Sequence, residues 1–292
     1  MIRRPPRSTL DRSSAASDVY KRQSSNSVGF GSGIMNSAIY MNSAPIRKSD
    51  SLNSSFFQEF SSALNSSKMN LSSVYRIGKI NAFTSITIND YGLIKAGKNR
   101  AHGYDDWGDL PHMFENERQK YTQNHSVYLT QRISKNISDF SIANIDLYSS
   151  NFSRLNRIDK LNDLKEGVPK FEKWYYGPQK RLLVSPSLKI FPKRKFMKKG
   201  VITLGFQKIN ESRIKRKFNT LNRSHQIEDL KVFSINGDFD TFFEGGHSIS
   251  YGLESTYNYN DSKAYDKMPV SYTHLRAHET EADLVCRLLL EK

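Results

Sequence analysis

The chain has 292 residues, 37% of them hydrophobic and 25% charged, with a formal net charge of +15. At a mean hydropathy of −0.63, no run approaches the roughly 20 apolar residues of a membrane-crossing helix. That excludes a helical membrane protein but not a membrane β-barrel, whose polar lumen and loops dilute its hydropathy. The single cysteine, Cys286, leaves no disulfide framework and no thiolate metal site.

Residues 1–23 are basic but lack the apolar core of a secretory signal, and they are expected to be disordered. They resemble translated sequencing-library adapter sequence, and so do residues 269–292, where the alternative is a short amphipathic helix over 279–291. The first stretch carries +4 and the last −1, so +12 of the charge belongs to the region between them. Gly29, Gly31 and Gly33 suggest a nucleotide loop, but no helix and no Lys-Ser/Thr pair follows them. A tight turn before a strand is the better account.

From residue 54 the chain reads as a meander. Strands are expected over 54–64 and 69–76, joined at Asn65-Ser66-Ser67, then over 80–89 after a Gly78-Lys79 turn. In the third, Ile80, Ala82, Thr84, Ile86 and Ile88 alternate with Asn81, Ser85, Thr87 and Asn89, with Phe83 the exception. A polar loop over 91–122 leads to strands at 123–133 and 139–149, and a second long loop occupies 150–180.

The stretch 173–191 shows the design most plainly. The aromatic cluster Trp174, Tyr175 and Tyr176 stands on a Gly177-Pro178 turn, after which Leu182, Val184, Pro186, Leu188 and Ile190 take one face. Arg181, Ser185, Ser187 and Lys189 take the other. Strict period two over about ten residues makes a strand long enough to cross a bilayer at a barrel tilt. A basic turn (192–199) precedes a strand at 201–209, and a third long loop, 210–229, is crowded with Arg213, Lys215, Arg216, Lys217 and Arg223. Strands at 230–242 and 247–260 close the series, with Ile249, Tyr251, Leu253, Tyr257 and Tyr259 on one face of the last.

After the first hairpin the connections alternate long and short, which puts every long loop at one end of an up-and-down sheet. Outer-membrane barrels sort their loops this way, and a soluble sandwich has no reason to. The expected fold is therefore all-β: a partial antiparallel up-and-down transmembrane β-barrel of about nine strands over 51–268.

Three motifs resemble the TonB-dependent receptors, ligand-gated transporters of the Gram-negative outer membrane. They are Lys98-Asn99-Arg100 to Asp106-Trp107-Gly108, then Trp174-Tyr175-Tyr176-Gly177-Pro178-Gln179-Lys180-Arg181, and Glu211-Ser212-Arg213 with Arg216 and Asn219. Val28 to Gly33 leading into Ala38-Ile39 resembles the end of the family's plug domain, giving residues 24–50 that role, although Asn36-Ser37 stands where the family often has Gly-Gly. The resemblance covers roughly 27–260 and implies a fragment: the plug's end and the first strands of a barrel of about 22. It implies energy-coupled uptake of a scarce ligand such as a ferric siderophore, with haem, cobalamin and glycans open. The implied partners are the TonB–ExbB–ExbD complex, outer-membrane lipid and lipopolysaccharide, and the implied location is the cell outer membrane.

No catalytic constellation stands out, and neither an enzyme nor a cofactor is expected. His102, Asp105, Asp106, Asp109 and His112 crowd one loop, but their spacing fits no ligand pattern and a solvated loop accounts for them. The ligand-binding candidates are Trp107, Trp174, Tyr175, Tyr176, Arg213 and Arg216. As girdle residues the aromatics need no ligand, and the basic loop reads first as a solvated charge run, then as a lipopolysaccharide contact, then as a ligand site. A soluble nucleic-acid-binding β protein is the rival the charge suggests, yet the polar strand faces are rich in Ser, Thr, Asn and Asp, so no nucleic-acid partner is expected. A passive porin-like channel is the third reading; it would lack a plug-like entry.

Overall fold

The computed structural model describes residues 17–23, 37–43, 46, 52–95, 114–192, 197–243, 247–267 and 275–291. For the strands β1 (Ser17–Gln23), β2 (Ser37–Ser43) and β18 (Leu275–Glu291) only the backbone course is considered. Between them lie β3 (Asn53–Ser61), β4 (Ser66–Ile77), β5 (Ile80–Tyr91), the two-residue β6 (Phe114–Glu115) and β7 (Arg118–Gln119), β8 (Asn124–Ser138) and β9 (Ser141–Phe152). There follow β10 (Leu155–Asn156), helix α1 (Ile158–Leu161), β11 (Leu164–Lys165), β12 (Val168–Pro169) and β13 (Phe171–Tyr176). The series continues with β14 (Gln179–Ile190), β15 (Lys199–Lys217), β16 (Arg223–Phe242) and β17 (Ser248–Lys267).

One 12-stranded antiparallel sheet holds nearly all of this, in the order β18-β17-β16-β15-β14-β9-β8-β5-β4-β3, with β10 and β13 attached off the path. Setting aside the short strands β6, β7 and β10–β13, strands that follow one another in sequence are spatial neighbours, as a meander requires. β3 and β18 each pair on one side only, so the sheet is open and no barrel closes among the described residues.

Residues directly opposite in an antiparallel pair share a face, and the register therefore shows what each face carries. One row runs Tyr75–Ala82–Ile133–Ile145, and the pairs Leu204–Ile235 and Phe206–Phe233–Tyr257 continue that face. Val184–Leu147 and Leu188–Ala143 join the two halves. The alternating sets expected for 80–89, 181–190, 201–209, 230–242 and 247–260 thus fall on two coherent faces, one mainly apolar and one polar. On the polar face Arg132 pairs with Asp146 at 3.1 Å, and Asn70 donates to Ser85 and Thr87 at 2.9 and 2.7 Å.

Among the described residues no second layer packs on the apolar face. Among the described residues the buried hydrophobic side chains are only Ala82, Leu161 and Ile214, while Leu204, Phe233, Ile235 and Leu253 are 43–47% exposed. Rings meet along the surface, Phe206 tilted against Phe233 at 5.0 Å and Phe239 stacked on Tyr251 at 5.4 Å. A polar seam crosses this face, and it is satisfied internally. Ser54 and Ser73 share a hydrogen bond of 2.8 Å, and Thr84 donates to Gln131 at 2.5 Å.

Several boundaries differ from expectation. The third long loop, 210–229, is instead strand: β15 continues to Lys217 and β16 begins at Arg223, leaving a five-residue turn. Here both faces are polar, so alternation vanishes, yet the ladder continues, helped by Asn210 donating to Asp229 at 2.7 Å. The second long loop contains β10 to β13. Residues 275–291 run as a strand, not as the short helix held as the alternative for 279–291, and pair with the otherwise free edge of β17, where unpaired N–H and C=O groups attract any extended segment. Ser17–Gln23, expected to be disordered, is a strand paired with Ser37–Ser43. Most of the plug segment, 24–50, lies outside the described residues. The strand ends at Ile77 and Ile80, Ser138 and Ser141, Ile190 and Lys199, and Phe242 and Ser248 still share one end of the sheet; those at Tyr91 and Asn124, Phe152 and Gln179, and Lys217 and Arg223 share the other.

Candidate functional site

The site builds up at the long-excursion end, where one strand is interrupted. β13 and β14 both pair with β15, β13 against residues 213–217 and β14 against 200–210. Between them Gly177 adopts φ +89°, a left-handed conformation that suits glycine. Its N–H donates to the Ser212 carbonyl at 2.7 Å, so the ladder survives the break. A Cβ here would lie 2.8 Å from the Ser153 carbonyl oxygen.

Register then sorts the aromatic cluster. Trp174 lies opposite Lys215 and Tyr176 opposite Arg213, which places both rings on the polar face; Tyr175, opposite Ile214, lies on the other. Trp174 and Tyr176 meet edge to face at 5.2 Å. Arg157, just beyond β10, is held by its backbone N–H to the Trp174 carbonyl at 2.8 Å. Its guanidinium covers the Trp174 ring at 4.8 Å and the Tyr176 ring at 5.6 Å, and its Nη1 donates to the Tyr176 hydroxyl at 2.9 Å. Its Nε and Nη2 grip the two Asp159 oxygens at 2.8 and 2.6 Å. That fork holds the Asp159 carboxyl below its usual range, and Asp159 in turn raises Arg157 above its already high value. Arg213 lies over Tyr176 from another direction, 5.2 Å from the ring centre.

Beneath the break is a cavity of about 280 Å³ lined by Asn124, Phe152, Leu155, Tyr176, Gln179, Glu211 and Ser212 among others. A smaller one of about 60 Å³ shares Tyr176, Glu211 and Ser212 and adds Arg213, Gln226 and Glu228. Gln179 hydrogen-bonds Glu211 between them. A wider hollow of about 570 Å³ at the opposite end, lined by Ile137, Phe140, Leu188, Ile190 and Pro192, offers apolar and hydroxyl groups only, with no titratable side chain.

Of the six residues singled out in the sequence, Trp174, Tyr176 and Arg213 come together. Tyr175 lies on the apolar side with Arg154 at 5.9 Å from its ring. Arg216 is spent in an ion pair with Glu172, and Trp107 lies outside the described residues, as do His102, Asp105, Asp106, Asp109 and His112. The centre of the cluster, Arg157 with Asp159, was missed: an Arg-x-Asp triplet in a polar loop carries no sequence signal until β10 brings it against β13. The arrangement offers donors, carboxylates and ring edges beside a cavity. Its ring faces are already capped by guanidinium groups, so it grips its own loop and presents the cavity wall to any ligand.

The chain's class is that of an all-β protein with one large antiparallel sheet and an uncovered apolar face. Comparison with protein-family models gives no match, and comparison with curated proteins gives none either.

Proposed function

We propose that this chain is part of an outer-membrane β-barrel transporter of the TonB-dependent receptor type, its apolar face against lipid and its polar face toward the lumen. One observation carries this reading: nine strands in succession around the sheet present an apolar face that no second layer covers among the described residues. In water such a face costs about 25 cal/mol for every Å² left exposed, and hydrocarbon is the solvent that removes the cost without a second sheet. The apolar face of β14 runs from Leu182 to Ile190, eight steps of about 3.3 Å or roughly 26 Å along the strand. At a 45° tilt that is about 19 Å, the order of an outer-membrane apolar band. The hydrogen-bonded polar seam suits lipid as well, since hydrocarbon tolerates only satisfied polar groups.

The receptor type rests on the motif at Trp174–Arg181 and on the cavity beside it, which opens at the end where long excursions gather. In this reading further strands complete the barrel beyond the open edges, a plug fills it, and a scarce ligand such as a ferric siderophore is taken up with energy delivered through the TonB–ExbB–ExbD complex. The test is single-cysteine labelling with an environment-sensitive dye, in a Cys286→Ala background refolded into phosphatidylcholine bilayers. Labels at Leu204 and Ile235 are expected to emit from an apolar environment and labels at Thr203 and Ser234 from an aqueous one. Equal aqueous emission from all four would end the membrane reading. Uptake of ferric chelate that persists after collapse of the proton gradient, measured on the complete barrel, would end the energy-coupled one.

A further inference from the structure

The apolar face does not fade evenly into water at its upper edge. Just above the band on three adjacent strands it carries Lys180, Lys208 and Lys231, all exposed. Lys208 and Lys231 are directly opposite in register, and Lys180, opposite Asn210, is the diagonal neighbour of Lys208. Elsewhere along this edge the face carries Asp90 and His125, Asn151, and Tyr259. Lys231 extends toward the Tyr259 ring, 5.8 Å from its centre. The row above carries two carboxylates, Asp229 and Asp261, opposite one another; Asp229 accepts from Asn210 at 2.7 Å and Asp261 pairs with Lys263 at 3.0 Å.

Two like charges directly opposite on a sheet repel one another. Here they stand without an ion pair among the described residues, immediately beside Leu182, Phe206 and Phe233. We propose that Lys180, Lys208 and Lys231 form a docking site for the phosphate groups of anionic lipids in the leaflet at the long-excursion end. The proposal rests on the membrane reading, and geometry selects the chemistry. Lysine is a compact point charge that suits a phosphate oxygen, and the acyl chains of the same molecule would lie down the apolar face immediately below. A soluble anion would gain the charge but not the chains.

The test uses the full chain refolded in neutral detergent, with native mass spectrometry counting dioleoyl phosphatidate bound per chain. Dioleoyl phosphatidylcholine serves as neutral lipid and millimolar inorganic phosphate as the soluble competitor. Each lysine near an anionic surface contributes about fivefold in affinity, so Lys208→Gln with Lys231→Gln should weaken phosphatidate binding by about tenfold or more. Lys208→Arg with Lys231→Arg should retain it, as should Lys68→Gln with Lys189→Gln on the polar face. The retaining pairs also show that a loss reflects charge, since circular dichroism of each variant reports its fold. Unchanged binding in the glutamine pair overturns the site. Displacement by inorganic phosphate as effective as by phosphatidate overturns the lipid as its source. Uptake of phosphatidylcholine by all variants alike shows the membrane reading standing when the lysine site fails; its absence in every variant shows the membrane reading itself failing.

Discussion

Placing an arginine in the middle of the apolar band separates a lipid-facing sheet from a water-facing one. Leu204 lies between the pairs Val184–Phe206 and Leu188–Ile202, halfway along the apolar run of β14, and its side chain is 46% exposed. It supports no packed core, so in water Leu204→Arg would remain within about 0.5 kcal/mol of the parent, as surface substitutions do. Facing hydrocarbon near the bilayer centre, the same change costs about 2–4 kcal/mol. The partner across the ladder, Ile235, is 43% exposed and should behave alike, while Thr203→Arg on the polar face should cost little. The assay is urea unfolding in phosphatidylcholine bilayers, followed by tryptophan emission, with the same titration repeated in a zwitterionic detergent. At 2–4 kcal/mol the midpoint shifts by about 1 M or more for an m-value near 2 kcal/mol/M. A shift below 0.3 M for both Leu204→Arg and Ile235→Arg, or an equal shift for Thr203→Arg, would refute the assignment of faces.

Three further outcomes follow from the site and its surroundings. Gly177→Ala, which brings a methyl group 2.8 Å from the Ser153 carbonyl at a positive φ, should cost on the order of 1–3 kcal/mol and expose the amides of β13 to hydrogen exchange; unchanged protection would contradict the geometry. Arg157→Gln removes the bracket between α1 and β13, so exchange and proteolysis over residues 157–176 should rise while β15 and β16 stay protected. Because Asp159 sits below its ordinary value, its contribution is full above about pH 4 and fades as pH falls through the folded value; the variant should lose that acid dependence. His225 lies in the strand extension beyond the apolar band, stacked on Tyr265 at 5.0 Å, with its imidazole pushed below its usual value by burial and by Arg223 and Lys267. The unfolded chain therefore takes up the proton first as pH drops below about 6.5, and stability should fall there. His225→Gln should flatten that slope in urea midpoints measured between pH 7.5 and 5.

How far the sequence could be read depended on whether one face of a strand was apolar. Where it was, as in β5, β14 and β17, alternation placed the strand within two or three residues at most ends and put the residues of its apolar and polar sets on opposite faces, Phe83 excepted, because a register slip of one would expose the apolar set to the polar side. Where both faces are wet, the same chain kept its ladder without its signal. Residues 210–217 and 223–229 read as a charged loop, yet backbone hydrogen bonds and pairs such as Asn210–Asp229 carry the hairpin as far as Lys217 and Arg223. β17 likewise outruns its apolar alternation to Lys267. The aromatic cluster was legible as a feature but not as a structure. Trp174 and Tyr176 differ in face from Tyr175 by simple parity, whereas their arginine partner comes from 17 residues earlier, across a loop whose course only the β10–β13 pairing fixes. The lysine pair shows the same limit from the other side. Lys208 and Lys231 lie 23 positions apart in sequence, and only the turn at residues 218–222 sets them opposite one another. A two-residue slip of β16 away from the turn would have put Asp229 opposite Lys208 instead, and the repulsion that calls for an external anion would have been an ion pair.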